Sequence, residues 1–361
     1  MNEEEQNKND FEGSKYNFIV GIAWLGFAMI IFSAQGSFYL LLNDYDSTTF
    51  SACNVLCVSS MYAIVYNIFY FFHWSKITKW SHVMEVPREK WAYLFFGSML
   101  YSVLGPYFFF IGLQTTDIPV ASIMQRLEPT LFVILSTMFL DTKLNTWCTI
   151  NLLITCVGVI VAITFDSMAY GEDVDFPTGY LFILLSVCCY SLSLLISKKY
   201  LVEVNVGVLS SFRITVGAIM FHALSVLEGN QDTLTDPMLW TYMLPYGFIF
   251  MFSGQLSWLT ALEANPPITL SIGSNFKFAL TLLFGIAINN QIPNVGQAVA
   301  SSIIFIGIVS GVAEIILSEK KSQDNAYEKL IKTDKYYVSN SSDLEEDQGE
   351  GDDDNDHLDC G

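Results

Sequence analysis

Residues 120–143 read VASIMQRLEPTLFVILSTMFLDTK. The run is almost wholly apolar, yet Arg126, Glu128 and Pro129 sit near its start. About 20 apolar residues in a helix cross a hydrocarbon core of roughly 30 Å. Runs of that length recur at about 18–42, 49–73, 91–113, 118–140, 145–165, 178–197, 206–227, 239–262, 267–288 and 295–317. Turn-forming clusters such as LLNDYDST and AYGEDVDFPTG separate several of them. With 52% of the residues apolar, this pattern argues against a soluble helical protein. It predicts an all-α integral membrane protein with ten transmembrane helices.

The basic residues orient the chain. Of 17 Lys and Arg, three lie within predicted spans: Arg126, Arg213 and Lys277. The other 14 fall in the two ends of the chain and in the alternate loops HWSKITKWSHVMEVPREKW, DTKLN and SKKYLVEVN. The opposite loops, NDYDS, FDSMAYGEDVDFP and EGNQDTLTDP, carry none. This bias places both termini in the cytoplasm and fits an even number of spans. The net charge of −19 owes much to the tail after Ser342, which has ten Asp and Glu and no basic residue. Such a block buries too little apolar surface to fold, and its repulsion of phosphates argues against a nucleic-acid partner. The acidic arm MNEEEQNKNDFEGSKYN fits neither a secretory signal nor a transit peptide, so the first span is read as the insertion signal. No outer loop holds a cysteine, and no Cys/His set completes a zinc site. No cofactor is predicted.

The chain also repeats itself. Placing NTWCTINLLITCVGVIVA over NVGQAVASSIIFIGIVSG aligns Asn145 with Asn294 and Gly158 with Gly307, 149 residues apart in both cases. The same offset sets Asp141 on Asn290 and Glu128 on Lys277. Five spans per half is an odd number, so the two five-helix repeats are predicted to be inverted, with a site between them near the midplane. The expected organisation is an arm at 1–17, repeats at 18–165 and 178–317, an extracytoplasmic linker at 166–177 and a disordered acidic tail at 318–361.

A charge at the centre of a span costs about 2.5–3.5 kcal/mol. Arg126, Glu128, Arg213 and Lys277 are therefore expected to face a wet cavity or one another. Glu128 and Lys277 fall on facing elements, where an ion pair that substrate disrupts is expected. On a continuous helix Arg126 and Glu128 stand about 200° apart, whereas Gln125 and Glu128 share a face. Gln125 is thus expected at the cavity, with Arg126 turned toward a neighbouring helix or reaching around. Pro129 lets the span bend and frees a carbonyl near Gln125. In SIGSNFKFALT, Gly273 lies one turn before Lys277 and gives room for a ligand or close helix packing. Arg213, about two turns into its span from the cytoplasm, is read as lining an entrance or snorkelling to the interface. No phosphate loop, metal-binding His pair or nucleophile elbow is present, and no enzymatic activity is expected.

QRLEPTLFVILSTMFLDTK, LTALEANPPITLSIGSNFKFALTLLFGIAINNQIP and SKKYL together resemble the drug/metabolite transporter superfamily, EamA-like. Within it they are most similar to the triose-phosphate and nucleotide-sugar translocator branch. The resemblance covers about 18–317 and implies a carrier of phosphorylated metabolites working by exchange or facilitated passage. Phosphate-carrying members have Lys where this chain has Gln125 and Arg where it has Phe278, so of their three cations only Lys277 stands in place. Gly273 to Lys277 fits the nucleotide-sugar pattern G-x-x-x-K.

The reading is a secondary transporter of a small organic anion, a nucleotide sugar or sugar-phosphate-like metabolite, held by Lys277, Arg126, Glu128, Gln125, Gly273 and Arg213. The alternatives are a proton-coupled carrier of amino acids, amines or drugs, in which Glu128 titrates, and a non-transporting membrane receptor or sorting protein acting through its tail. YEKL, Tyr327 to Leu330, fits a pattern read by endosomal sorting adaptors. The branch implies Golgi or endoplasmic reticulum, YEKL an endolysosomal membrane; the plasma membrane and a homodimer are compatible with both.

Overall fold

A computed structural model describes residues 3–310 apart from 71–79, 117, 141–145, 171–177, 230–232, 275 and 308. The described residues contain helices and no strand. In chain order they are α1 (Glu3–Tyr45), α2 (Ala52–Phe69), the short α3 (Trp80–Met84), α4 (Lys90–Ser98), α5 (Gly105–Leu113), α6 (Ile118–Met124) and α7 (Leu127–Phe139). Then follow α8 (Thr146–Tyr170), α9 (Thr178–Tyr200), α10 (Val206–Leu227), α11 (Pro237–Tyr246), α12 (Gly254–Ala264), α13 (Pro267–Ser274) and α14 (Phe276–Asn289). The last is α15 (Val295–Gly307).

Local chemistry sets several starts. Ser51 caps α2 by accepting from Asn54 N, and Asn205 caps α10 by accepting from Gly207 N at 2.9 Å. Asp236 caps α11 through Met238 N at 2.8 Å, with Pro237 in the first turn, where its missing N–H costs nothing.

Seven helical runs are long and apolar enough to cross a membrane: Ile19–Tyr45, Ala52–Phe69, Lys90–Leu113, Ile118–Phe139, Thr178–Tyr200, Val206–Leu227 and Thr269–Asn289. The other three expected spans meet shorter apolar helices, Thr149–Phe165 and Val295–Gly307, and the composite run from α11 to α12. Polarity is inverted relative to a water-soluble fold. Ile160, Ile219, Leu283 and Ile306 point outward at 62–64% exposure, while the hydroxyls of Ser33, Ser59, Ser191 and Ser193 belong to fully buried residues. Without a hydrophobic force between helices in lipid, small residues and internal hydrogen bonds hold such a bundle. This is an all-α integral membrane fold.

The 149-residue offset recurs in the helix boundaries. α5 and α12 start 149 residues apart. Two π-helical segments, Met99–Leu104 and Gly247–Ser253, interrupt corresponding runs. Each closes with an i→i+5 bond, from Gly105 N to Leu100 O and from Gly254 N to Ile249 O. Pro106 helps to explain the first, since it offers no N–H to Ser102.

Neighbours repeat as well. α1 packs on α12 and α14, and α9 packs on α5 and α7. α2 lies along α10; α6 meets α14, and α7 meets α13. Exchanging α1 with α9, α2 with α10 and α5–α7 with α12–α14 returns the same pairs. α8 and α15 cross reciprocally at their glycines. A Cβ on Gly158 would strike Ile304, and one on Gly307 would come within 3.1 Å of Ile154. A buried apolar cluster includes Leu25, Leu94, Phe132, Leu194, Leu209 and Leu262.

Candidate functional site

The opening stretch does not form one helix. α6 ends at Met124 and α7 begins at Leu127. Pro129 has no N–H, so the carbonyl of Gln125 accepts instead from Glu128 N at 3.1 Å, and Arg126 N turns to Ile123 O at 3.0 Å. That shift leaves the Ser122 carbonyl to Arg126 Nε, 3.3 Å away, while Arg126 Nη1 donates to Ser274 O at 2.8 Å. Ser274 is the last residue of α13, the counterpart of α6. The guanidinium thus joins the break between α6 and α7 to the backbone of α13 in the other half.

Beside this bridge lies a cavity lined from both halves. Tyr101 and Phe250, Ser102 and Met251, Pro106 and Gln255, and Glu128 and Lys277 all line it, and each pair is 149 residues apart. Phe32, Tyr190 and Trp258 add aromatic walls, and Arg126 reaches it too. The cavity volume is about 90 Å³, and the space between lining atoms rises to about 890 Å³ when the open solvent at the mouth is included. Both π segments contribute to the wall, and such bulges are frequent at functional sites.

The backbone beneath the charges repeats too. Ser33 Oγ lies 2.9 Å from the carbonyl of Lys277, and Ser191 Oγ lies 2.9 Å from that of Glu128. Lys277 and Glu128 are both half-buried. Lys277 Nζ is 5.9 Å from the Phe32 ring centroid. Among the described residues the one ion pair within 4.0 Å is Lys90 with Glu203, so the expected Glu128–Lys277 pair is not formed. The two side chains reach the cavity from different helices without touching. The wall carries two cations, Arg126 and Lys277, against one carboxylate.

Arg126 and Glu128 line the same cavity, and Arg126 also donates to Ser274 of α13. Other expectations need correction. Gln125 is buried at 4% exposure and is not part of the lining. A Cβ on Gly273 would fall on Leu25 of α1, so this glycine serves close packing. Arg213 is 0% exposed and lies off the cavity wall; it does not snorkel. Tyr327 and Leu330 lie outside the described residues. Tyr101, Tyr190, Gln255 and Trp258 escaped the sequence reading, since aromatic residues are abundant throughout the spans. The repeat offset carried a signal for Gln255, the counterpart of Pro106.

The model of the EamA-like transporter family matches the chain twice, over residues 19–164 and 177–310. The chain belongs to the EamA-like transporter family. This EamA-family member is 25% identical over 313 residues to an uncharacterized transporter, sll1164, of Synechocystis sp. (strain ATCC 27184 / PCC 6803 / Kazusa), covering 83% of this chain and 89% of the relative. A solved crystal structure 15% identical in sequence covers 82% of this chain and 98% of its own, with a TM-score of 0.57; that likeness concerns the fold alone. An EamA-family transporter takes a small-molecule substrate and works within a lipid bilayer.

Proposed function

We propose that this EamA-family transporter carries a small organic anion by alternating access, built as ten spans in two inverted five-helix repeats at 18–165 and 178–317. The observation that carries the reading is the cavity, whose wall pairs residues across the halves and holds two cations against one carboxylate. Reciprocal helix neighbours and the double family match support the repeat division. Inverted repeats place a transporter's site at their interface near the midplane.

Lys277 is the point charge for a phosphate or carboxylate. The aromatic rings offer faces to the rest of the molecule, which suits a nucleotide sugar or sugar-phosphate-like metabolite moved by exchange. The loop-charge bias supports cytoplasmic termini, and the translocator resemblance supports a Golgi or endoplasmic-reticulum membrane. The test is uptake by reconstituted liposomes of nucleotide sugars, sugar phosphates, carboxylates and amino acids, with Lys277→Ala alongside. Saturable uptake of a phosphorylated compound that collapses in the variant is expected. Uptake restricted to neutral or cationic solutes and indifferent to Lys277 would overturn the reading.

One observation favours a second reading, proton coupling. Glu128 faces the cavity with no cation of the described residues within 4.0 Å. Uptake driven by an imposed pH gradient and abolished in Glu128→Gln would select it.

A further inference from the structure

Arg213 is the charge this fold explains least. It is 0% exposed, and a guanidinium stays protonated inside proteins. No carboxylate of the described residues lies within 4.0 Å. Its Nη2 donates to Ser193 Oγ at 3.2 Å and Ser197 Oγ at 2.5 Å. Those hydroxyls direct their own protons to the carbonyls of Gly97 and Ser193, both at 2.7 Å. Arg213 Nε and Nη1 have no partner among the described residues. A buried charge with idle donors is costly to maintain, and two serines and an aromatic ring offset only part of that cost.

Position supplies the second observation. The Arg213 guanidinium carbon lies 4.3 Å from the centroid of the Tyr101 ring. Tyr101 itself lines the central cavity, as do Ile214 and Gly217, the latter one turn along α10 from Arg213. One aromatic ring therefore separates a buried cation from the substrate cavity. α10 starts at the cytoplasmic end in the proposed orientation, which puts Arg213 below the cavity on that side. Tyr101 belongs to the π segment Met99–Leu104, a local departure from α-helical register. Its ring leans on Tyr190 in an edge contact, with centroids 5.4 Å apart.

We propose that Arg213 is a second anion-binding group of the transport path, covered by Tyr101 in this conformation and uncovered when that ring moves. Its ligand is an oxyanion, the phosphate or carboxylate of the substrate, which accepts from Nε and Nη1. The inference rests on the anion-carrier reading and extends it: the anion passes from Lys277 toward Arg213 as the cytoplasmic side opens. Tyr101 keeps the cation from holding the anion while the substrate is still in the central cavity.

The test is equilibrium binding of radiolabelled inorganic phosphate to the full-length protein in lipid nanodiscs. A site exposed only part of the time binds more weakly in proportion to that fraction, so removing the cover raises apparent affinity, here by about tenfold. Tyr101→Ala is expected to show this gain, and Tyr101→Ala combined with Arg213→Gln to lose it. Tyr101→Leu, which removes the ring but keeps apolar volume, serves if the alanine variant does not fold. Unchanged affinity in the Ala and Leu variants, or a gain that survives Arg213→Gln, would overturn the proposal. Lys277→Ala in the same assay separates the two readings. Phosphate binding that needs Lys277 but ignores Tyr101 leaves the anion carrier standing and rejects the covered site. A gain that needs Arg213 but not Lys277 keeps the covered site and rejects Lys277 as the cavity ligand.

Discussion

Arg126→Lys distinguishes a structural bridge from a substrate ligand. The guanidinium donates in two directions, to Ser122 O at 3.3 Å within its own broken helix and to Ser274 O at 2.8 Å across the bundle. A lysine keeps the charge, but its single ammonium sits on a different stem and lacks the planar fork. The two acceptors then lose the separate, fixed N–H groups that serve them. Side-chain hydrogen bonds inside membrane bundles average about 0.6 kcal/mol and reach about 1.7, whereas bonds from charged donors in proteins contribute about 1.5–3 kcal/mol. Loss of the shorter bond to Ser274 is therefore expected to lower stability by about 2 kcal/mol. Arg126→Met loses both bonds but also removes a charge from a residue only 2% exposed. Relief of that desolvation makes it no less stable than Arg126→Lys. The assay is reversible unfolding of the purified variants in mixed micelles with increasing dodecyl sulfate, with uptake measured in parallel. Unchanged stability in Arg126→Lys together with lost uptake would refute the bridge and make Arg126 a ligand alone.

Gly179→Ala brings a Cβ to 3.0 Å from the Gly112 carbonyl, a backbone atom that cannot step aside; forcing α9 from α5 is expected to cost about 1–3 kcal/mol in the same unfolding assay. Ser33→Ala and Ser191→Ala remove hydroxyls 2.9 Å from the carbonyls of Lys277 and Glu128, that of Ser33 being shared with Met29 O. Each is expected to cost about 0.6 kcal/mol, and the double variant the sum, because the sites share no partner; a clear departure from additivity would argue against independent sites. Outside the spans, hydrogen bonds with Thr48 and then Thr49 hold the Asp46 carboxyl down to about 2. A depressed folded value means that the turn's added stability is present above the unfolded value of about 3.9 and fades as pH falls toward 2. Hydrogen exchange at Thr48 and Thr49 is expected to quicken over that interval after correction for the intrinsic rate, and Asp46→Ala to abolish that step. Lys90 pairs with Glu203, whose side chain is largely exposed, so Lys90→Met is expected to change stability by less than about 1 kcal/mol; a larger loss would show that the pair fastens α4 to the loop before α10.

The membrane character was legible because recurring apolar runs leave few other folds open. The equivalence of Glu128 and Lys277 was legible from the 149-residue offset, and the structure puts both on one cavity wall. What misled was the assumption of a continuous helix through 118–140. Pro129 was visible, but its effect depended on where the freed groups found partners: Arg126 fills one gap and reaches Ser274 from the other half. A helical wheel cannot represent that break: it puts Gln125 at the cavity and leaves Arg126 turned toward a neighbouring helix or reaching around. Arg213 was legible as an intramembrane charge, but its cover by Tyr101 was not, because that contact joins residues 112 positions apart in sequence.

The sequence by itself therefore determined the solvent, the offset of the repeat and the inventory of charges, since these follow from hydropathy and spacing along one chain. Only the tertiary structure decided which charges share the cavity, which one is bridged and which one is covered. Those outcomes depend on where broken helices from different halves meet, and on which buried donors find acceptors there.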